Sequence, residues 1–152
     1  MGKSRYDSIP RRKSRELALQ VLYQLDITSQ DAIKTITQFR DLFPKKKSKD
    51  GFTERIVLGV LEHSQEIDRL IEQYSENWRL DRMLIIDRNI LRMATFELLY
   101  REDIPPKVTL NEAIELGKRY GSEDSGSFIN GILDRIQNEA VQKSIQSKSI
   151  SE

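Results

Sequence analysis

Apolar residues return every three or four positions along most of this chain, and that period decides what it can fold into. Ala18, Val21, Leu22 and Leu25 fall at i, i+3, i+4 and i+7, sharing one stripe of a 3.6-residue helix. The spacing recurs at Ile36 and Phe39, from Phe52 through Ile56, Val60, His63 and Ile67 to Tyr74, and across Ile85–Tyr100. No stretch alternates apolar and polar residues with period two between turn signals, so no strand is expected. The pattern predicts an all-α domain of about seven helices joined by short loops, globular rather than coiled-coil in type.

A chain of 152 residues with 38% hydrophobic and 32% charged residues is long enough to bury a core without staples. It has no cysteine, which excludes disulfides, thiolate metal sites and a cysteine nucleophile and fits a reducing cytoplasm. No apolar run approaches the ~18 residues of a membrane span, and the basic N-terminus lacks the apolar core of a signal peptide. A cytoplasmic protein that meets no membrane is the expectation. The net charge of +1 hides a strong asymmetry. Within residues 1–15, Lys3, Arg5, Arg11, Arg12, Lys13 and Arg15 oppose only Asp7, which suits a polyanion met by one end of the molecule.

Residues 1–10 read as a flexible arm closed by Pro10, residues 11–141 as the folded domain and residues 142–152 as a disordered polar tail. The first helix starts at Arg11 or Arg12 and ends between Asp26 and Ser29; a second occupies 31–42. The run from Pro44 to Gly51, with Lys45, Lys46, Lys47 and Lys49, breaks the pattern as a solvated loop. A single long helix is predicted from Phe52 to Tyr74. The turn at 77–82 carries Trp78, expected as a core anchor. Ile85–Tyr100 should be the central helix, with Arg88, Arg92 and Glu97 paired to other groups. Thr109-Leu110-Asn111-Glu112 has the spacing of a capping box, Gly121 suits a left-handed helix end, and a last helix runs from Ser127 to about Val141.

Nothing in this inventory points to catalysis. There is no Gly-rich phosphate loop, no HExxH and no locally supported Ser/His/Asp set, and His63 is the only histidine. It reads as a partly buried structural residue; Glu62 and Glu66 beside it do not make a metal site. The carboxylate pairs Asp81 with Asp87 and Glu112 with Glu115 are better explained as helix surface. No enzyme, no cofactor and no metal are expected. The cations at the start of the first helix leave two readings open, because the positive end of a helix dipole is an unfavourable place for Arg and Lys. One is a solvated, mildly unfavourable first turn, slightly favoured on composition, and the other is an anion-binding end. The residues describe a binding module, with nucleic acid the partner of the basic end and protein the partner of an acidic face.

Several blocks together carry a more specific likeness. Residues 12–23 (RKSRELALQVLY), 78–82 (WRLDR), 87–94 (DRNILRMA) with Glu97-Leu98, 105–118 (PPKVTLNEAIELGK), 120–122 (YGS) and 128–134 (FINGILD) resemble the bacterial NusB family of transcription antitermination factors. The likeness spans roughly 11–137 in order and spacing. It implies a fold of two packed helical bundles and a noncatalytic role in processive transcription of ribosomal RNA operons. The implied partners are boxA RNA and NusE, a small-subunit ribosomal protein, with other Nus factors and RNA polymerase engaged indirectly. A related domain precedes ribosomal RNA cytosine methyltransferases, but this chain ends where a cofactor-binding domain would begin.

By the same resemblance, Arg11, Arg12, Lys13 and Arg15 are the RNA-contacting cations, and Phe128 lies on the RNA-facing surface, with core packing an equal alternative. Tyr23, Asp87 and Asp124 match positions that face NusE, where acidic side chains would steer a basic partner. Asn130 and Gly131 are assigned to structure, the amide tying helix ends and the glycine allowing close packing. The competing reading is a protein-interaction or self-associating module whose RNA surface is masked in a homodimer. A helix-turn-helix DNA binder would need an exposed recognition helix after a tight turn, and no such pair is found.

Overall fold

Helix formation starts directly after Pro10, whose carbonyl accepts the Lys13 and Ser14 amides at 2.9 and 3.1 Å. The computed structural model describes residues 10–29, 31–42 and 51–141, with the backbone alone at 39–42. Within them the expected all-α architecture holds. Seven α-helices follow in order: α1 (Arg11–Thr28), α2 (Ala32–Leu42), α3 (Phe52–Glu62), α4 (Ser64–Tyr74), α5 (Ile85–Tyr100), α6 (Pro106–Tyr120) and α7 (Ser125–Arg135). A 3-10 turn occupies Leu80–Arg82, a π-helical stretch Ile136–Val141, and no strand occurs among the described residues. Beyond Pro10 itself, the expected arm, the Lys45–Lys49 loop and the 142–152 tail lie outside the described residues.

The chain divides into two compact units, residues 1–62 and residues 63–152. In the first, α1 packs on α3 and α2. Ala18, Val21 and Leu22 are buried as the stripe requires, opposite Phe52, Ile56, Val57 and Val60 of α3. Each of the larger side chains contributes about 1.5–3 kcal/mol on burial. The Thr53 hydroxyl donates to the Ser14 carbonyl at 3.0 Å, tying the start of α3 to the first turns of α1. Asp31 caps α2 by accepting the Lys34 amide at 2.9 Å.

In the second unit α5 packs on α4, α6 and α7, and α6 packs along α7. Ile90, Leu91, Met93 and Ala94 of α5 meet a core completed by Ile67 and Ile71 of α4 and by Ile129, Leu133 and Ile136. The polar residues of α5 take the pairings expected of them. Arg92 grips Asp68 through two bonds of 2.9 and 3.2 Å, Arg88 donates to the Leu80 carbonyl at 3.3 Å, and buried Glu97 accepts the Thr109 hydroxyl at 3.2 Å. The bidentate geometry makes the Arg92 pair stronger than an ordinary surface ion pair.

Five expectations need correction. The long helix from Phe52 to Tyr74 is two helices, interrupted at His63, whose φ of −107° and ψ of 23° leave the helical region. His63 instead stacks on Tyr100 with ring centres 4.1 Å apart. Trp78 is no core anchor, being 54% exposed. The capping box does not form: α6 begins a turn earlier with Pro106 at its first position, where the missing N–H costs nothing, and Thr109 turns inward to Glu97. Gly121 ends α6 in extended geometry (φ −94°, ψ −157°), not left-handed. Gly131 serves no close packing among the described residues, since a Cβ there would meet nothing within 4 Å, and Asn130 is exposed beside it.

Candidate nucleic-acid interface

The first turn of α1 carries Arg11, Arg12 and Lys13, no acidic residue, and no side-chain cap on its amides. The Lys13 and Ser14 amides bond to Pro10, which leaves those of Arg11 and Arg12 at the positive end of the helix dipole, a position that favours an anion. Arg11, Arg12 and Lys13 are exposed, and Lys13 reaches back to Glu16 at 3.2 Å.

Arg15 departs from the other three. It is only 4% exposed, and its guanidinium lies over the Phe52 ring at 5.2 Å. Arg11 covers the same ring at 4.7 Å. Arg11, Arg15, Ala18 and Leu22 follow helical spacing, so the buried stripe of α1 runs back into the cation cluster. Phe52, fully buried, is the platform on which the two arginines rest. Arg15 is thus packed under the basic turn, while Arg12 and Lys13 are exposed on it.

In the second unit, Phe128 projects from the first turns of α7, half-buried, and meets the edge of Trp78 with centroids 5.9 Å apart and planes at 69°. Asp124 is exposed at the N-cap of α7. Asp87, in the first turn of α5, is only 4% exposed, so it lies beneath the surface rather than on it. Its carboxylate accepts a hydrogen bond from Ser125, and its Oδ1 has no hydrogen-bond partner among the described residues. Burial pushes the Asp87 carboxyl above its ordinary pKa, and the Ser125 bond opposes the rise only in part. Tyr23 of α1 is 37% exposed, open to a partner. Sequence reasoning missed Phe52 and Trp78; the first was signalled by its apolar face opposite the arginine stripe, the second by nothing local.

The raised carboxyl sets a pH test. Below the unfolded-state pKa Asp87 is neutral folded or unfolded and costs nothing. As pH rises through the folded value, the native state must ionise a buried group, and the penalty is complete above it. Asp87→Asn is expected to stabilise the chain at neutral pH, with the gain vanishing in acid. Urea melts of both proteins across that range measure it; a gain independent of pH would contradict the assignment.

A cavity of about 310 Å³ opens beside the 3-10 turn. Asp68, Glu72 and Asp81 face Arg79, Arg88 and Arg92 across it. These opposed charges leave it without the net positive field a phosphate site requires. No group of three or more metal-ligating side chains occurs among the described residues.

The model of the NusB family matches residues 12–138, nearly the whole described span. The chain belongs to the NusB family. The transcription antitermination protein NusB of Desulfitobacterium hafniense is 52% identical over 128 residues, 83% of this chain and 86% of that protein. The solved structure of T. maritima NusB superposes with a TM-score of 0.80 at 41% identity, covering 87% of this chain and 93% of that one. A chain in the crystal structure of antitermination factors NusB and NusE in complex with dsRNA gives a TM-score of 0.75 at 28% identity, covering 90% and 98%. The NusB relatives are transcription antitermination proteins, not enzymes by name. No helix among the described residues is long and apolar enough to cross a membrane.

Proposed function

We propose that this chain is a transcription antitermination factor that binds boxA-type RNA of ribosomal RNA operons together with NusE and promotes processive transcription. It works in the cytoplasm and catalyses no reaction. The observation that carries the reading is the first turn of α1: three exposed cations, no acid, and an arginine-covered aromatic ring beneath them. Membership of a family whose relatives are antitermination proteins, one solved with NusE and dsRNA, supports it.

Arg12 and Lys13 contact phosphates, Arg11 divides its guanidinium between RNA and the Phe52 ring, and Arg15 acts as a positioning residue. Phe128 stacks on an unpaired base. Tyr23 and Asp124 face NusE, where the carboxylate steers a basic protein. Asp87 contributes from below, holding the first turn of α5 to Ser125 next to Asp124.

Arg12→Ala is expected to weaken binding of boxA RNA, measured with and without NusE, and to reduce the salt slope by about 0.7 with the fold intact. Unchanged affinity and slope would remove Arg12 from the interface. Arg15→Ala is expected to lower stability as well as binding, because it removes the buried side chain that packs over the Phe52 ring.

A further inference from the structure

Trp78 is the sole tryptophan, and more than half of it faces solvent. The backbone that presents it is strained. Glu76 and Asn77, neither a glycine, both adopt left-handed φ values, 59° and 65°. The turn is nevertheless well held: the Asn77 amide donates to the Glu72 carbonyl at 3.0 Å and the Ser75 hydroxyl to the Trp78 carbonyl at 3.0 Å. Arg135, from the end of α7, donates to the Tyr74 carbonyl at 3.1 Å and so joins this turn to the helix that bears Phe128. Three residues beyond Phe128, on the same side of α7, stands exposed Gly131, with open space where its Cβ would be. A glycine inside a helix is less stable than alanine, and no contact among the described residues calls for one here.

We propose that Trp78 is a second base-stacking surface beside Phe128, so that this corner receives two unpaired nucleobases splayed apart, with Gly131 leaving room for the strand. The inference rests on the reading of Phe128 as an RNA-stacking residue. Neighbouring bases in a duplex lie parallel and cannot lie flat on two rings set at 69°. A single strand, whose bases turn independently, can place one on each ring. The same rings could grip an apolar side chain, but exposed Arg82 lies four residues beyond Trp78 and favours a polyanion, whereas Arg79 is taken up by Asp81 at 2.9 Å.

Because Trp78 is the only tryptophan, its emission reports the contact directly. The full chain is titrated with single-stranded boxA RNA, with the same RNA annealed to its complement, and with NusE alone. Single-stranded RNA is expected to quench Trp78, the duplex to do so less at equal occupancy, and NusE alone to leave it unchanged. Trp78→Ala should weaken single-strand binding about tenfold and Trp78→Tyr restore most of it. Gly131→Ala should weaken binding while raising the melting temperature, opposite signs that a purely structural role would not produce. RNA binding with unmoved emission and an unaffected Trp78→Ala variant overturns this inference alone. If Phe128→Ala also binds as the parent does, the stacking reading beneath it falls too. Quenching by NusE without any by RNA assigns the surface to protein and likewise overturns the proposal.

Discussion

Phe52→Ala is expected to lower folding stability by about 3–5 kcal/mol, among the largest effects of any single truncation in this chain. The ring is fully buried at the start of α3 and fills space that α1 cannot close by shifting, because Thr53 pins the two helices at Ser14. Truncation also takes the aromatic face from under Arg11 and Arg15. Phe52→Leu separates the two roles: it keeps most of the volume, so stability falls less, but it removes the cation–π contacts, worth about 0.5–2 kcal/mol. Urea melts measure the first effect and RNA binding the second. If Phe52→Leu binds RNA like the parent, the ring is core packing and does not order the basic turn.

Gly121→Ala is expected to destabilise by about 1–3 kcal/mol, near the upper end because one of the obstructing atoms is backbone. An added Cβ would lie 2.7 Å from the Gly117 carbonyl oxygen and 2.6 Å from Ser125 Cβ. The close approach, not a left-handed backbone, is the reason for glycine here. Ser125 Oγ accepts the Ser122 amide at 2.8 Å and bonds the Asp87 carboxylate, so displacing Ser125 unsettles the junction from which Asp124 and Phe128 project. Thermal melts check the stability, and loss of RNA and NusE binding beyond that of an equally destabilised core variant checks the link to the site. Equal losses would confine Gly121 to packing.

Much of the architecture is legible in the residues because helices announce themselves over many turns. Pro10 and the Ala18, Val21, Leu22 stripe define α1, and the broad apolar face of residues 85–100 defines α5 to the residue. The failures are places where one contact outweighs a local pattern. His63 continues the stripe of α3 in phase, with no Pro or Gly to mark the break, yet its ring stacks on Tyr100 where the helix is interrupted. Thr109 and Glu112 have capping-box spacing, but Pro106 starts the helix earlier and Glu97 claims the hydroxyl. Trp78 depends on two successive left-handed residues, and although Asn77 is of a type that favours that conformation, Glu76 is not. At the site, four cations read alike in the sequence. Only the continuation of the buried face through Arg11 and Arg15 separates the arginines that rest on Phe52 from the exposed Arg12 and Lys13.

RNA binding by the exposed charge on the first turn of α1 is tested most directly by its dependence on salt. The measurement is the salt dependence of boxA RNA affinity, with NusE present, for the parent and for a variant carrying Arg11→Gln, Arg12→Gln and Lys13→Gln. Expected are a linear fall of log affinity with log salt in the parent and a slope shallower by about 2 in the variant, three phosphate contacts on a single strand, with the fold unchanged by circular dichroism. Equal slopes in the two proteins would contradict RNA binding by that turn.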